Sequence, residues 1–150
     1  MNGNSEETDD ALIARFAGNG ITRDNADHFR GRLDRRLLMA RCADCGRWQH
    51  PPRPMCPACW SWNMAMDEVS GRGTIHLLMV LHQGPPAPGV DYGAGHPVVT
   101  VELVEQPALR FTSTVSDDFP ADDLAIGTAV EVEWAERDGT PMPVFRKAAS

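Results

Sequence analysis

Four cysteines occur as two closely spaced pairs, and this spacing constrains the fold more than any other feature of the sequence. Cys42 and Cys45 are separated by two residues, a further ten residues follow, and Cys56 and Cys59 repeat the first spacing. Each pair can fold around one side of a metal ion, and four thiolates then complete a tetrahedron with no open position for water or substrate. The sequence therefore predicts a structural metal site whose ligands are these four cysteines.

Zinc and iron both suit four thiolates in a rubredoxin-like loop, because both ions accept a shell of sulfur ligands. Zinc is expected here, since nothing else in the sequence suggests electron transfer, and iron stays open as the alternative. Metal binding contributes on the order of 10 kcal/mol to local folding at neutral pH. A loop with so little apolar core is therefore expected to unfold when the ion is removed.

The charge and the apolar content of the chain exclude several classes of partner. Lys and Arg number 14 against 21 Asp and Glu, which gives a formal net charge of −7. The chain lacks the basic surface that binds phosphate backbones, so no nucleic acid is expected as a partner. No apolar run is long enough to cross a bilayer and no secretion signal is visible, so no membrane association is expected. Cysteines in metal-binding pairs indicate a reducing compartment, and we expect a cytoplasmic protein.

Two short amphipathic helices are predicted before the first cysteine. Residues 1–10 are polar and acidic and are expected to form a disordered tail. Thr8 or Asp9 can cap a first helix with one apolar stripe, and a second helix is expected to begin after Thr22. The stripes comprise, in the first helix, Leu12, Ile13 and Phe16, and, in the second, Ala26, Phe29 and Leu33.

Five apolar runs after the second cysteine pair predict strands, because turn residues separate them and no helical pattern intervenes. In one of them, Val130, Val132 and Trp134 alternate with two glutamates, which indicates an antiparallel strand with one face in water. Short strands in this arrangement favour a small closed or half-closed antiparallel barrel of the OB type. The five runs are 74–81, 97–104, 109–115, 130–134 and 143–146.

The predicted chain is mainly β, with N-terminal helices, a rubredoxin-like zinc ribbon and then a five-stranded antiparallel OB-fold barrel. Its 150 residues are enough for one medium domain with one small additional module. The expected segments are a tail at 1–10, the N-terminal helices at 11–35, the zinc ribbon at 36–66 and the OB-fold at 67–150.

No catalytic residues are predicted. The sequence lacks a nucleophile elbow, a phosphate-binding loop, a dinucleotide fingerprint and a paired-histidine metal motif. Its five histidines are expected to be surface or packed residues, and the acidic stretch 117–123 is expected to be a solvated loop. Trp48, Trp60 and Trp62 surround the cysteines, and two interpretations remain open: a small core beneath the ribbon, or anchors for a partner.

Several short motifs occur in a characteristic order: Arg41-Cys42-Ala43-Asp44-Cys45-Gly46, Pro51-Pro52-Arg53, Cys56-Pro57-Ala58-Cys59, Ser70-Gly71-Arg72-Gly73-Thr74 and Pro143-Val144-Phe145-Arg146. This order resembles the DUF35 family, also described as acyl-CoA-associated OB-fold proteins with a rubredoxin-like zinc ribbon. The resemblance covers residues 11–148. It implies a zinc ribbon followed by an OB-fold, and it places the metal ligands at the four cysteines but supplies no catalytic residues.

The resemblance also implies partners. Chains of this family act with a thiolase-like enzyme or a MaoC-like hydratase on acyl-CoA substrates, and in steroid side-chain degradation related chains assemble with a thiolase-fold aldolase. The leading hypothesis is therefore a non-catalytic subunit of a hetero-oligomer that supports such an enzyme. The alternatives are autonomous acyl-CoA binding, in which Arg53, Arg72 or Arg110 pairs with the CoA phosphates, single-stranded nucleic-acid binding, and electron transfer through iron.

Overall fold

A computed structural model of the chain describes residues 8–149, which form two compact units. Among these residues, the first unit extends to Val69 and the second begins at Ser70. Residues 1–7, which make up most of the predicted tail, lie outside the described residues, as does Ser150. Within the described part of the chain, no helix is long and apolar enough to cross a lipid bilayer.

Helix α1 (Asp9–Arg15) begins within the segment predicted as a tail, at the cap that the sequence suggests. The side-chain oxygen of Thr8 accepts a hydrogen bond of 3.3 Å from a backbone amide of the first turn, which has no partner within the helix. Leu12 and Phe16 are buried, whereas Ile13 is 49% exposed. The predicted stripe is therefore wrong at Ile13, because residues four apart share a helix face and adjacent residues point about 100° apart.

Helix α2 (Ala26–Leu33) packs against α1 and confirms the second predicted stripe. Thr22 and Asn25, which precede the helix, form reciprocal hydrogen bonds. The amide of Thr22 donates to the side chain of Asn25 at 2.7 Å, and the amide of Asn25 donates to the hydroxyl of Thr22 at 3.3 Å. The rings of Phe16 and Phe29 lie 5.1 Å apart. The apolar cluster between the helices comprises Leu12, Phe16, Ala26, Phe29 and Leu33, with Ile21 packed against it.

A three-stranded antiparallel sheet, the ribbon sheet, follows the helices in the order β2-β1-β3. Its strands are β1 (Leu38–Cys42), β2 (Trp48–Gln49) and β3 (Met64–Glu68). The central strand β1 ends at Cys42, and β2 follows the first cysteine pair as β3 follows the second. Both cysteine pairs therefore emerge at the same end of one small sheet.

Five strands form the curled sheet of the second unit, in the order β6-β5-β4-β7-β8 with all neighbours antiparallel. The strands are β4 (Arg72–Leu81), β5 (His96–Leu103), β6 (Arg110–Ser113), β7 (Ala129–Arg137) and β8 (Thr140–Lys147). The register of β4 shifts at a bulge between Ile75 and Leu77, and its first residues pair with β7 while most of its length pairs with β5. This arrangement confirms the predicted OB-fold.

The curled sheet closes on itself at one seam between β6 and β8. Val115, just beyond β6, pairs with Phe145 in a parallel bridge, and the amide of Phe145 donates to the carbonyl of Thr114 at 3.0 Å. Backbone N–H groups of alternate residues in a strand point to the same side, and the amide of Phe145 points to the seam. Pro141 and Pro143 occupy the two preceding alternate positions of β8, and proline has no N–H to donate there. The barrel is therefore half-closed.

Apolar side chains from every strand of the second unit form its core. Val130 is buried as predicted, but Val132 and Trp134 are half-buried like the glutamates between them, because β4 pairs with β7 only at its first residues. A Cβ atom at Gly73 would lie 2.3 Å from the carbonyl oxygen of Glu102. The close approach of β4 and β5 therefore requires glycine at this position. The buried residues include Ile75, Val99, Val101, Leu103, Leu109, Phe111, Val130, Val144 and Phe145.

Candidate metal centre

The four cysteine sulfurs lie together at one end of the ribbon sheet. The Sγ atoms of Cys42 and Cys59 are 3.6 Å apart, as are those of Cys45 and Cys56, and all four lie within 4.8 Å of one another. A disulfide would bring two sulfurs to about 2.05 Å, and the four residues are free thiols. The structure therefore brings together all the residues that the spacing predicts as ligands.

This arrangement fits a single four-coordinate ion. A tetrahedral zinc ion with Zn–S distances of about 2.3 Å places its sulfurs about 3.8 Å apart, close to the two separations of 3.6 Å. Iron accepts the same set of donors. Four sulfurs fill every position of such an ion, so the cysteines are positioned to bind a metal ion in a structural role rather than one that activates water.

Both cysteine pairs lie in the same kind of turn. The amide of Gly46 donates to the carbonyl of Cys42, and the amide of Trp60 donates to the carbonyl of Cys56, each at 2.9 Å. Gly46 and Trp60 have positive φ angles of 78° and 64°. Glycine adopts this conformation without strain, whereas a tryptophan does so at a cost on the order of 1 kcal/mol. The second turn therefore holds an indole where the backbone favours glycine.

Backbone amides stabilise the thiolate form of the first cysteine in each pair. The amide of Cys45 donates to Sγ of Cys42 at 3.5 Å and lowers the pKa of that thiol. A hydrogen bond from the amide of Cys59 lowers the pKa of Cys56 to about 7. Because the thiolate is the metal-binding form, these turns prepare their sulfurs for a cation.

The three tryptophans near the cysteines take two different positions. Trp48 is buried, and the guanidinium carbon of Arg41 lies 4.8 Å from the centre of its ring. Trp60 and Trp62 are each 74% exposed. Trp48 therefore belongs to the core of the ribbon, whereas Trp60 and Trp62 lie on its surface, and their role as anchors for a partner stays a prediction.

His28 is a buried residue that the sequence does not single out, although a packed histidine is among the expectations. It lies in α2, and its Nδ1–H donates to the carbonyl of Leu38 at 2.6 Å while Nε2 accepts from Nε of Arg32 at 3.2 Å. Its ring centre is 5.8 Å from that of His50. Burial lowers the pKa of His28 to about 3 and that of His50 to about 4, so both rings are neutral. Neither histidine joins the cluster of four sulfurs.

The three arginines considered for CoA phosphates are divided between the two units. Arg53 belongs to the first unit, whereas Arg72 and Arg110 belong to the second. Nε of Arg110 lies 3.7 Å from a carboxylate oxygen of Glu102, so this guanidinium already has an anionic partner.

Comparisons with known proteins identify relatives along most of the chain. A family described as "ChsH2, rubredoxin-like zinc ribbon domain" matches residues 29–65. A probable enoyl-CoA hydratase alpha subunit of Thermomonospora curvata is 36% identical over 145 residues, which are 96% of this chain and 44% of that protein. A DUF35 domain-containing scaffold protein of Pyrococcus furiosus is 30% identical over 105 residues, which are 70% of this chain and 71% of that protein.

Two solved structures share the fold. A chain in a structure described as "Ltp2-ChsH2(DUF35) aldolase" is 36% identical with a TM-score of 0.76, and the match covers 87% of this chain and 99% of that one. A protein of unknown function from the DUF35 family of Sulfolobus solfataricus is 12% identical with a TM-score of 0.53, and the match covers 82% and 86% of the two chains. At that identity, the second likeness concerns the fold alone.

Four clustered cysteines on a ribbon, followed by an OB-fold, define a small metal-binding β protein. The chain belongs to the DUF35 family, which confirms the resemblance drawn from its motifs. It spans 44% of the length of the hydratase subunit that it matches.

Proposed function

We propose that the chain is a non-catalytic accessory subunit that binds and supports a thiolase-like enzyme acting on acyl-CoA substrates. The observation that carries this proposal is the match over 99% of a chain, at 36% identity, in a structure described as an aldolase with a DUF35 component. The scaffold protein among the relatives supports the same role. An aldolase of steroid or lipid side-chain degradation is the particular partner that we favour, and the cytoplasm is the compartment.

The metal site has a structural role in this proposal. Cys42, Cys45, Cys56 and Cys59 hold one zinc ion, and their close approach without a disulfide supports the assignment. When bound, the ion would cross-link the two cysteine turns, which have little apolar core of their own. The chain's own residues do the rest: two backbone amides orient sulfurs, and the ribbon presents its side chains to a partner.

The exposed indoles of the ribbon are the proposed anchors for the enzyme. Trp60 and Trp62 expose large apolar areas, and tryptophan is the residue most enriched among side chains that dominate interface energies. Trp60 keeps its position in spite of a positive φ angle. A strained residue is retained where the structure needs it, which supports a role for this side chain beyond folding.

Co-expression with a thiolase-like enzyme from the same genomic neighbourhood tests the proposal. We expect one complex on size-exclusion chromatography, with enzyme activity lost or reduced when this chain is omitted. Trp60→Ala with Trp62→Ala should weaken the complex at least tenfold, whereas Ile126→Ala, which removes another largely exposed apolar side chain, from the second unit, should not. Separate elution of the two proteins with full enzyme activity would refute the role.

A MaoC-like hydratase is the second candidate partner, because one relative carries the name of an enoyl-CoA hydratase subunit. The same chromatography with the hydratase in place of the thiolase-like enzyme distinguishes the two. Autonomous acyl-CoA binding has less support, since Arg110 is paired with Glu102. Calorimetry of the isolated chain with acyl-CoA is expected to show no heat of binding.

A further inference from the structure

A groove of about 440 Å³ lies in the second unit. Three segments line it: Pro88 and Gly89 in the loop between β4 and β5, residues 114–118 beyond β6, and the β7–β8 hairpin. In OB-folds the loops joining the first two strands and the last two strands flank the ligand-binding face, which commonly takes oligonucleotides and oligosaccharides. The groove therefore occupies the position at which this fold usually binds a ligand.

The charge of the groove is opposite to that of a nucleic-acid site. Five carboxylates line it against one guanidinium, that of Arg137; the acidic residues are Asp117, Asp118, Glu133, Glu136 and Asp138. Nearby carboxylates outside the groove have cationic partners, since Glu131 lies 2.8 Å from Arg146 and Asp123 lies 2.9 Å from Lys147. Among residues 8–149, no lysine or arginine forms an ion pair with Asp117, Asp118 or Glu133. The groove therefore carries uncompensated negative charge, whereas the charges of Glu131 and Asp123 are neutralised by cationic partners.

The groove also has an apolar floor and one buried polar atom. Val115 and Val144 are buried and Met142 is half-buried, so these side chains form the floor, whereas four of the five carboxylates are exposed and form the rim. The hydroxyl oxygen of Ser116, which lines the same groove, is shielded from solvent and has no hydrogen-bond partner within residues 8–149. A shielded hydroxyl without a partner costs free energy, and a ligand that supplies a donor or an acceptor removes that cost. A bare metal ion would use the carboxylates but not the apolar floor.

We propose that this groove binds an extended segment of a partner polypeptide in which lysine or arginine side chains flank an apolar side chain. The apolar side chain rests on the floor, and the cations meet the carboxylates of the rim. The segment is held through its side chains, because Pro141 and Pro143 offer no backbone donors at the seam. The identity of the donor rests on the proposed function, in which the thiolase-like enzyme supplies the segment.

A titration of the zinc-loaded, nitrogen-15-labelled full chain tests the groove without the enzyme. The probe is the acetylated and amidated peptide Gly-Lys-Val-Arg-Leu-Lys-Gly, and the matched control peptide has glutamate in place of its three cations. The basic peptide should shift amide signals of residues 114–118 and 133–138, and its affinity should fall at least fivefold between about 50 and 300 mM NaCl. The absence of shifts at about 1 mM peptide, or an equal response to the acidic peptide, would overturn the proposal.

Variants of the chain separate the charge of the groove from the charge of the whole protein. Asp118→Lys should weaken binding of the basic peptide about tenfold at low salt, whereas Asp122→Lys, the same change four residues away and outside the groove, should leave it within about twofold. Met142→Gln, which keeps the size of the side chain but not its apolar character, should weaken binding at every salt concentration. Equal effects of the two aspartate variants would contradict a built site.

The complex with the enzyme allows a second, independent test of the groove. If the chain and the thiolase-like enzyme elute together, Asp118→Lys should weaken that complex and Asp122→Lys should not. Co-elution that neither variant alters would refute the groove as the contact while leaving the accessory role intact. Separate elution together with peptide binding in the groove would refute the accessory role while leaving the groove as a binding site for a basic segment.

Discussion

Nδ1 of His28 lies 2.6 Å from the carbonyl oxygen of Leu38, so a buried imidazole joins α2 to the ribbon sheet. Its burial lowers the pKa of His28 to about 3, and nearby Arg32 and His50 act in the same direction. The folded pKa lies below the usual value of about 6.5, so the unfolded chain binds the proton more tightly. The stabilisation that the neutral ring provides is therefore fully present above about pH 6.5 and is lost as the pH falls toward 3.

We expect His28 to remain neutral at pH 5. Because only the unfolded chain binds the proton there, this residue should lower the free energy of unfolding by about 2 kcal/mol at pH 5 relative to pH 8. Nitrogen chemical shifts of the imidazole report its protonation directly. His28→Gln keeps a donor for the Leu38 carbonyl and should remove about half of the dependence of unfolding free energy on pH between 5 and 7, because His50 supplies a similar share. His82→Gln, at an exposed position, should not. An NMR titration midpoint of His28 above pH 5 would contradict the prediction.

Loss of one sulfur should abolish stoichiometric metal binding. Cys56→Ser removes a donor from the four-sulfur cluster, and we expect the zinc content measured by elemental analysis to fall from one ion per chain to nearly none. The amide signals of the ribbon should then collapse to unfolded positions, because metal binding contributes on the order of 10 kcal/mol there. Ala58→Ser, an exposed change in the same turn, is the control and should retain the ion.

Gly73 is expected to tolerate no side chain. A Cβ atom at this position would lie 2.3 Å from the backbone oxygen of Glu102, so Gly73→Ala forces β4 and β5 apart and should destabilise the second unit by about 1–3 kcal/mol. Urea unfolding, followed through the indole N–H signal of Trp134, measures the change. Gly20→Ala, where nothing lies within 4 Å, should change stability by less than about 0.5 kcal/mol.

Trp48 and Trp62 should separate folding from binding. Trp48 is buried against Arg41, and Trp48→Ala should destabilise the ribbon by about 3–5 kcal/mol, as measured by thermal unfolding. Trp62→Ala should leave thermal unfolding unchanged, since its ring is largely exposed. Equal losses of stability in the two variants would show that the exposed indole supports the fold rather than a partner.

The metal site and the order of the strands could be predicted from the sequence because their determinants are local. The two cysteine turns each need only four consecutive residues, and alternation or apolar runs mark each strand within a few positions. The DUF35 motifs then indicated the OB-fold after the ribbon. The prediction that Ile13 belongs to the apolar stripe is wrong, because the neighbouring sequence does not show which helix face an apolar residue beside the stripe occupies.

The remaining features depend on residues that are distant in the sequence. His28 is neutral because folding buries it, with Arg32 acting in the same direction, while the Leu38 carbonyl accepts from its ring; no motif connects these three residues. Trp48 and Trp60 are equally apolar, and only the pairing of β2 with β1 distinguishes the buried one. The acidic groove combines three separate segments of the second unit, so the aspartates near position 117 could be interpreted from sequence only as a solvated loop.

Pro141 and Pro143 have a consequence for self-association. An open strand edge rich in N–H groups is a template on which a second molecule can add its own strand, and chains with such edges are prone to fibres. In this protein the two prolines remove such donors from the edge of β8, next to the seam between β6 and β8. The incomplete barrel can therefore stay open to a partner at high concentration without polymerising.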